Sequence, residues 1–231
     1  MADAPDSHID HAASINYWNS IAPNVDGMLG GFPQISRIDL RGSASFLAKV
    51  RRLVPAIPAS GPLKLGVDCG AGIGRVTAGF LSQACETVDV VEPVDNFARV
   101  VRDGELKQAG NVGDVYVTGL EAWTPSKQYD LVWNQWCVGH LTDAQLVEYL
   151  VRCRDALSPA GVIVVKENMS TDPDGEDVYD ELDSSVTRTD DKFRELFKTA
   201  GLNLIKTEEQ SGFPASLKLF PVRFYALRPA S

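Results

Sequence analysis

The chain has 231 residues, 44% hydrophobic and 23% charged, a soluble globular composition with room for one large domain or a domain with an extension. Its 31 acidic and 22 basic side chains leave a net charge of −9. That balance argues against nucleic acid as a partner, because phosphate binding wants a basic patch; it suits a cationic ligand, or simply keeps the protein soluble. No run of about eighteen apolar residues is present, so no membrane span is expected. The polar, acidic opening MADAPDSHIDHAAS carries no apolar signal core. Cys69, Cys85, Cys137 and Cys153 form no C-x-x-C pair and read as reduced thiols of an intracellular protein.

In chain order, residues 1–13 read as a disordered tail. His8 and His11 within it read as solvated, since nothing nearby completes a metal site, and no metal is expected. Residues 14–62 read as a helical extension, interrupted by the glycine-rich VDGMLGGF and closed by the loop AIPASGP. A helix is predicted over residues 39–54, with Leu40, Phe46, Leu47 and Val50 at helical spacing. From Leu63 the pattern changes. LKLGVD is a short buried strand, followed by CGAGIG and a helix over residues 75–81. Strands are predicted over 87–92, 114–119 and 129–134, with a helix over 94–101. Thr142 and Gln145 form a capping box that opens the next helix, with Leu146, Leu150, Cys153 and Leu157 along one face. GVIVVKEN is a fifth, fully buried strand; a helix near residues 190–200 and two terminal strands, LNLIKTEEQ and FPVRFYAL, complete the chain. Alternating strands and helices define an α/β domain, residues 63–231, with a mostly parallel sheet and ligands at the carboxyl ends of its strands.

Two stretches carry the chemistry. VDCGAGIGR sets Gly70, Gly72 and Gly74 directly after the first strand, with Arg75 where a dinucleotide fingerprint needs glycine. Glu92 closes the second strand, where an ionised acid can accept both hydroxyls of a ribose. This order of strand, glycine loop, helix, strand and acid points to a nucleoside cofactor. DLVWNQWCVGHLTD leaves a buried strand and at once places Asn134, Gln135, Trp136 and His140 within seven residues. A structural turn needs none of them; a site that holds a cofactor on one side and releases a proton on the other does.

From the glycine loop and acid onward the chain resembles the seven-stranded S-adenosylmethionine-dependent methyltransferases. The resemblance implies S-adenosylmethionine as cofactor and a seven-stranded, mostly parallel Rossmann-like sheet flanked by helices, its last strand antiparallel. Five motifs narrow it: YWNSIAPNVDGMLGGF, VDCGAGIGR, NQWCVGHLTD, KENM and DELDSSVTR are together similar to those of the protein alpha-N-terminal methyltransferases. Glu92 stands where that family often has Asp, and the acidic segment TDPDGEDVYDEL is longer than usual. The implied substrates are protein N-termini reading Xaa-Pro-Lys or Xaa-Pro-Arg once the initiator Met is gone. The implied cofactor contacts are Gly70, Gly72, Arg75, Glu92, Pro93, Leu120, Glu121 and Gln135, with Arg75 on the methionine carboxylate. The extension joins the substrate site. Tyr17, Trp18, Leu29, Gly30, Trp136, Asn168, Asp180, Asp183 and Ser185 would line the peptide channel, with the acids facing the third-position cation. His140 and Asp183, with Asn168 beside them, would handle the proton of the amine. The protein is expected in the cytoplasm, with the nucleus also open to it.

The competing readings are a methyltransferase for a small amine or acid, a non-catalytic cofactor-binding partner subunit, and an NAD-dependent oxidoreductase. A small-molecule enzyme needs a closed pocket. A silent subunit would lack His140, Asn168 and Asp183. Arg75 speaks against the oxidoreductase.

Overall fold

The computed structural model describes residues 4–230. The sheet contains strands β1 (Leu63–Cys69), β2 (Cys85–Val91), β3 (Val112–Tyr116), β4 (Tyr129–Gln135) and β5 (Leu157–Asn168). A separate hairpin, β6 (Val178–Asp180) and β7 (Ser185–Thr187), precedes the last two sheet strands, β8 (Leu202–Glu209) and β9 (Val222–Pro229). The seven strands of the sheet run β3-β2-β1-β4-β5-β9-β8. Only β9 opposes its neighbours, being antiparallel to both β5 and β8. The strand order reverses between β1 and β4, and their carboxyl ends open the crevice where such sheets bind ligands.

Helices cover both faces. Helices α1 (His11–Ser20), α2 (Val25–Met28) and α3 (Ser36–Leu53) come before the sheet. The helix after β1 is wound as a π segment, Thr77–Leu81, that runs into α4 (Ser82–Ala84). Then come α5 (Asp95–Arg102), α6 (Glu105–Gln108), α7 (Asp143–Asp155) and α8 (Asp190–Thr199). Phe46 and Val50 of α3 and Phe80 of the π segment pack on Leu131, Trp133, Val162 and Val164. On the other face, Leu146 and Leu150 of α7 and Phe193 and Phe197 of α8 pack on Val132, Ile163, Val165 and Tyr225. This two-sided burial is why β4 and β5 read as continuous apolar runs rather than alternating ones.

The structure departs from the sequence expectation at several points. Residues 5–13 are not a tail. Pro5–His8 is a 3-10 turn, Asp10 caps α1 through the Ala12 and Ala13 amides, and Asp6 accepts the Asp143 N–H at the start of α7 at 2.8 Å. Residues 1–3, also assigned to the tail, lie outside the described residues. His11 is not free in solvent, because its Nε2 lies 3.1 Å from the Gln145 side chain. Leu157 opens β5 instead of closing α7. The capping box is present: the Thr142 hydroxyl accepts the Gln145 N–H at 3.2 Å and the Gln145 side chain accepts the Thr142 N–H at 3.0 Å. All four cysteines are free and buried.

Candidate active site

One cavity of about 650 Å³ runs from the carboxyl ends of β1, β2 and β4 outward beneath α1, α2 and the β6–β7 hairpin. On the sheet side the chain turns in the left-handed region at Gly70 (φ 65°) and Gly72 (φ 57°). A Cβ at 70 would lie 2.3 Å from that of Cys137, so only glycine lets the loop pass this close. Asp68 lies beneath the loop, where it accepts the Thr77 hydroxyl at 2.6 Å and pins the following helix. Burial raises its carboxyl to about 6.

Glu92 accepts the Gly72 N–H at 2.7 Å on one oxygen and the Val94 N–H at 2.8 Å on the other. It therefore shapes the glycine loop while each oxygen keeps acceptor capacity toward the cavity. Burial raises this acid to about 7 despite those two bonds. Arg75 spends Nη1 on Asp39 (2.8 Å) and Ser36 (3.4 Å), while Nε and Nη2 make no hydrogen bond among the described residues. Pro93, Leu120, Glu121 and Gln135 complete this part of the wall.

The outer half is built on His140, at the end of a 3-10 turn, Val138–His140. Both ring nitrogens are engaged by α1: Trp18 Nε1–H donates to Nε2 at 3.3 Å, and Ser14 Oγ lies 3.0 Å from Nδ1. An indole only donates, so Nε2 is the acceptor, and Nδ1 carries the hydrogen toward Ser14. Burial lowers the imidazole below its ordinary 6.5, against the pull of the nearby Asp183 carboxylate. The ring is thus neutral near pH 7. The turn is clamped from two sides. Glu167 accepts the Cys137 and Val138 N–H groups at 2.7 and 3.0 Å, while Arg188 donates to the Val138 and Leu141 carbonyls. Trp136 holds a left-handed backbone (φ 54°), a strained geometry for a bulky residue.

Asn168, Trp18, Leu29, Gly30, Asp180 and Ser185 also face this cavity, as do Asp183 and Trp136. Asp183 accepts the Ser185 hydroxyl at 2.7 Å. Tyr17 is the expected site residue that the wall does not include. His11, Ser14, Ile15 and Trp18, at helical spacing, form the cavity face of α1, and Tyr17 falls off that face. Its phenol is raised by burial and by Asp183 and Asp180, which places it beside the two acids.

Sequence reasoning missed Ser14, His11, Glu167 and Asp39. Asp39 had a signal: it and Ser43 lie with Phe46 and Val50 on the buried stripe of α3, and a charge on such a stripe marks a partner.

The glycine cradle, the acid with spare acceptor capacity and the free guanidinium edge fit a nucleoside carrying an amino-acid tail. Fold and site together define an S-adenosylmethionine-dependent methyltransferase. A family model described as AdoMet dependent proline di-methyltransferase matches residues 6–228. The chain is 44% identical over 225 residues to Alpha N-terminal protein methyltransferase 1 of Schizosaccharomyces pombe, covering 96% of this chain and 97% of that protein. It is 40% identical over 218 residues to N-terminal Xaa-Pro-Lys N-methyltransferase 1-A of Xenopus laevis, covering 92% of each. A solved SAM-dependent methyltransferase from Leishmania major superposes with a TM-score of 0.84 at 32% identity, covering 99% of this chain and 87% of that one. The chain belongs to the AdoMet-dependent proline di-methyltransferase family.

Proposed function

We propose that this protein N-terminal methyltransferase methylates the free α-amine of proteins that begin Xaa-Pro-Lys or Xaa-Pro-Arg, with His140 and Asp183 handling the amine proton. The observation that carries the reading is a single cavity joining Gly70, Arg75 and Glu92 to His140, Asn168 and Asp183. The printed name of the Xenopus relative, N-terminal Xaa-Pro-Lys N-methyltransferase 1-A, supports the substrate class.

Bound S-adenosylmethionine supplies a methyl group on a sulfonium, open to displacement by a nitrogen lone pair. The protein's part is to hold its nucleoside and tail, and to present an amine that has lost its proton. Glu92 would take the ribose hydroxyls and the Nε–Nη2 edge of Arg75 the carboxylate. An α-amine has a pKa of about 7.7–8.0, so most of it is protonated at neutral pH and has no free lone pair. A carboxylate alone would bind the ammonium but strengthen its hold on the proton.

His140 resolves this conflict. Its ring is neutral, with the basic lone pair on Nε2, and takes the proton there once the long Trp18 contact lets go. Asp183, whose negative charge already favours the protonated ring, then stabilises the imidazolium. Asn168 offers an uncharged carbonyl to orient the amine. The flat indole of Trp136 suits the ring of a second-position proline, and Asp180 supplies charge at the mouth for a third-position Lys or Arg. Alignment of two bound reactants provides most of the acceleration.

The test is intact-mass analysis of Ala-Pro-Lys and Ser-Pro-Lys peptides incubated with enzyme and S-adenosylmethionine. Methyl masses are expected at the N-terminus, and none on N-acetylated versions. Equal methylation of the acetylated peptides would move the reaction to a side chain and end the reading.

A further inference from the structure

A cluster of buried charge lies behind the sheet-side wall, and the proton chemistry does not use it. Asp39 of α3 is fully buried and is bonded from three directions. Arg75 Nη1 reaches it at 2.8 Å, Gln135 Nε2 donates at 2.9 Å to each oxygen, and Lys166 Nζ of β5 binds the same carboxylate. Lys166 is also fully buried, and its Nζ donates to the Asp39 carbonyl and to Ser43 Oγ, both at 3.1 Å. The rest of its surroundings are apolar or aromatic, with Nζ 4.5 Å from the Phe224 ring centroid and 5.7 Å from that of Trp136.

The cluster holds two cations, Arg75 and Lys166, against one carboxylate. Among the described residues, Asp39 from α3 and Arg75 from the loop after β1 are the charged groups that act on Lys166; Gln135 of β4 and Phe224 of β9 are neutral. The neighbouring Glu167 is turned away, its carboxylate bound to the Cys137 and Val138 amides. Arg75 and Gln135 reach the cavity, whereas Asp39 and Lys166 lie behind them. An unbalanced buried cation is costly unless an anion completes the set. The tail of the cofactor carries a carboxylate.

We infer that Lys166 is a positioning residue for the cofactor's carboxylate: it neutralises Asp39 from behind, so that the free edge of Arg75 faces the cavity as an uncompensated cation. The same Asp39 ties α3, and with it the substrate-side extension, to the cofactor seat. The inference rests on the reading of Arg75 as the carboxylate's partner. Two consequences follow. Lys166 sets the preference for ligands that carry the carboxylate. Binding of that carboxylate also draws a proton onto Lys166, which burial lowers to about 8 in the free protein against the opposing pull of Asp39.

Calorimetric titration of the whole protein with S-adenosylhomocysteine and with its decarboxylated analogue tests both. The wild-type protein is expected to prefer the carboxylate-bearing ligand by at least about tenfold, and Lys166→Met to shrink that preference by about tenfold, with the analogue's affinity unchanged. Titrations near pH 8 in buffers of different ionisation enthalpy should show net proton uptake by the wild type with S-adenosylhomocysteine, and none with the analogue. The proton measurement needs no variant, so it decides the matter even if Lys166→Met does not fold. Equal discrimination by Lys166→Met, or no proton uptake by the wild type, overturns the inference. No discrimination by the wild type would instead remove Arg75 from the carboxylate seat, and the cofactor reading of that residue with it.

Discussion

Gly70→Ala separates backbone strain from packing at the cofactor loop. Position 70 has φ +65°, and an added Cβ would meet Cys137 Cβ at 2.3 Å and its Sγ at 3.1 Å. Cys137 cannot retreat easily: it is buried, and its N–H is held by Glu167 at 2.7 Å. The left-handed backbone costs a non-glycine residue about 1–2 kcal/mol. Overpacking adds about 1–3 kcal/mol, so the variant should lose roughly 2–5 kcal/mol. Gly110→Ala supplies the control, since its φ is +81° but nothing lies within 4 Å of the added atom. It should lose only the strain, about 1–2 kcal/mol. Urea denaturation of both variants measures the difference, and titration with S-adenosylhomocysteine should show weaker binding for Gly70→Ala alone. Equal losses of stability would refute the claim that the loop is pressed against the turn carrying His140.

His140→Ala should lower turnover by about 10²–10⁴-fold and leave cofactor affinity nearly unchanged, as read by initial rates and calorimetry; Glu92→Ala should do the reverse. Loss of cofactor binding as the sole defect of His140→Ala would put the imidazole in the wrong half of the cavity. Burial raises Glu92 and Glu167 to about 7, so between roughly pH 4.5 and 7 the folded protein binds protons that the unfolded chain has released. Their stabilisation is present below that window and is lost as pH rises through it, by up to about 1.4 kcal/mol per pH unit for each group. Denaturation across this range should flatten in Glu167→Gln, and an unchanged slope would count against the assignment. Thr142→Ala removes half of the capping box and should cost about 1 kcal/mol in thermal or urea unfolding.

The sheet strands were legible because parallel strands buried on both faces leave unbroken apolar runs, as in Leu131–Val132–Trp133 and Val162–Ile163–Val164–Val165. That the residues expected to hold the cofactor share one cavity has a related reason. They sit in short stretches at or just beyond the carboxyl ends of β1, β2, β3 and β4, so sequence neighbours are cavity neighbours. The antiparallel last strand was implied only by the family resemblance, and the order of the strands along the sheet comes from the structure. The β6–β7 hairpin has strands of three residues each, too short to show a period. Helix α1 was misread at its start because its inward face, His11, Ser14, Ile15 and Trp18, meets a cavity instead of a core and is only half apolar. Lys166 sat in plain view inside a buried strand. A lysine there needs a carboxylate, but periodicity cannot say which one, and its partner Asp39 lies on a helix far back in the chain.

Phe46 of α3 stacks on Phe224 of β9, ring centroids 4.7 Å apart and 19° from parallel. The surface that α3 buries is therefore completed only once β9 joins the sheet. Until then part of its apolar stripe is open to chaperones and to neighbouring nascent chains. Because Asp39 sits on the same helix, seating α3 on the sheet also places the carboxylate that Arg75, Gln135 and Lys166 share.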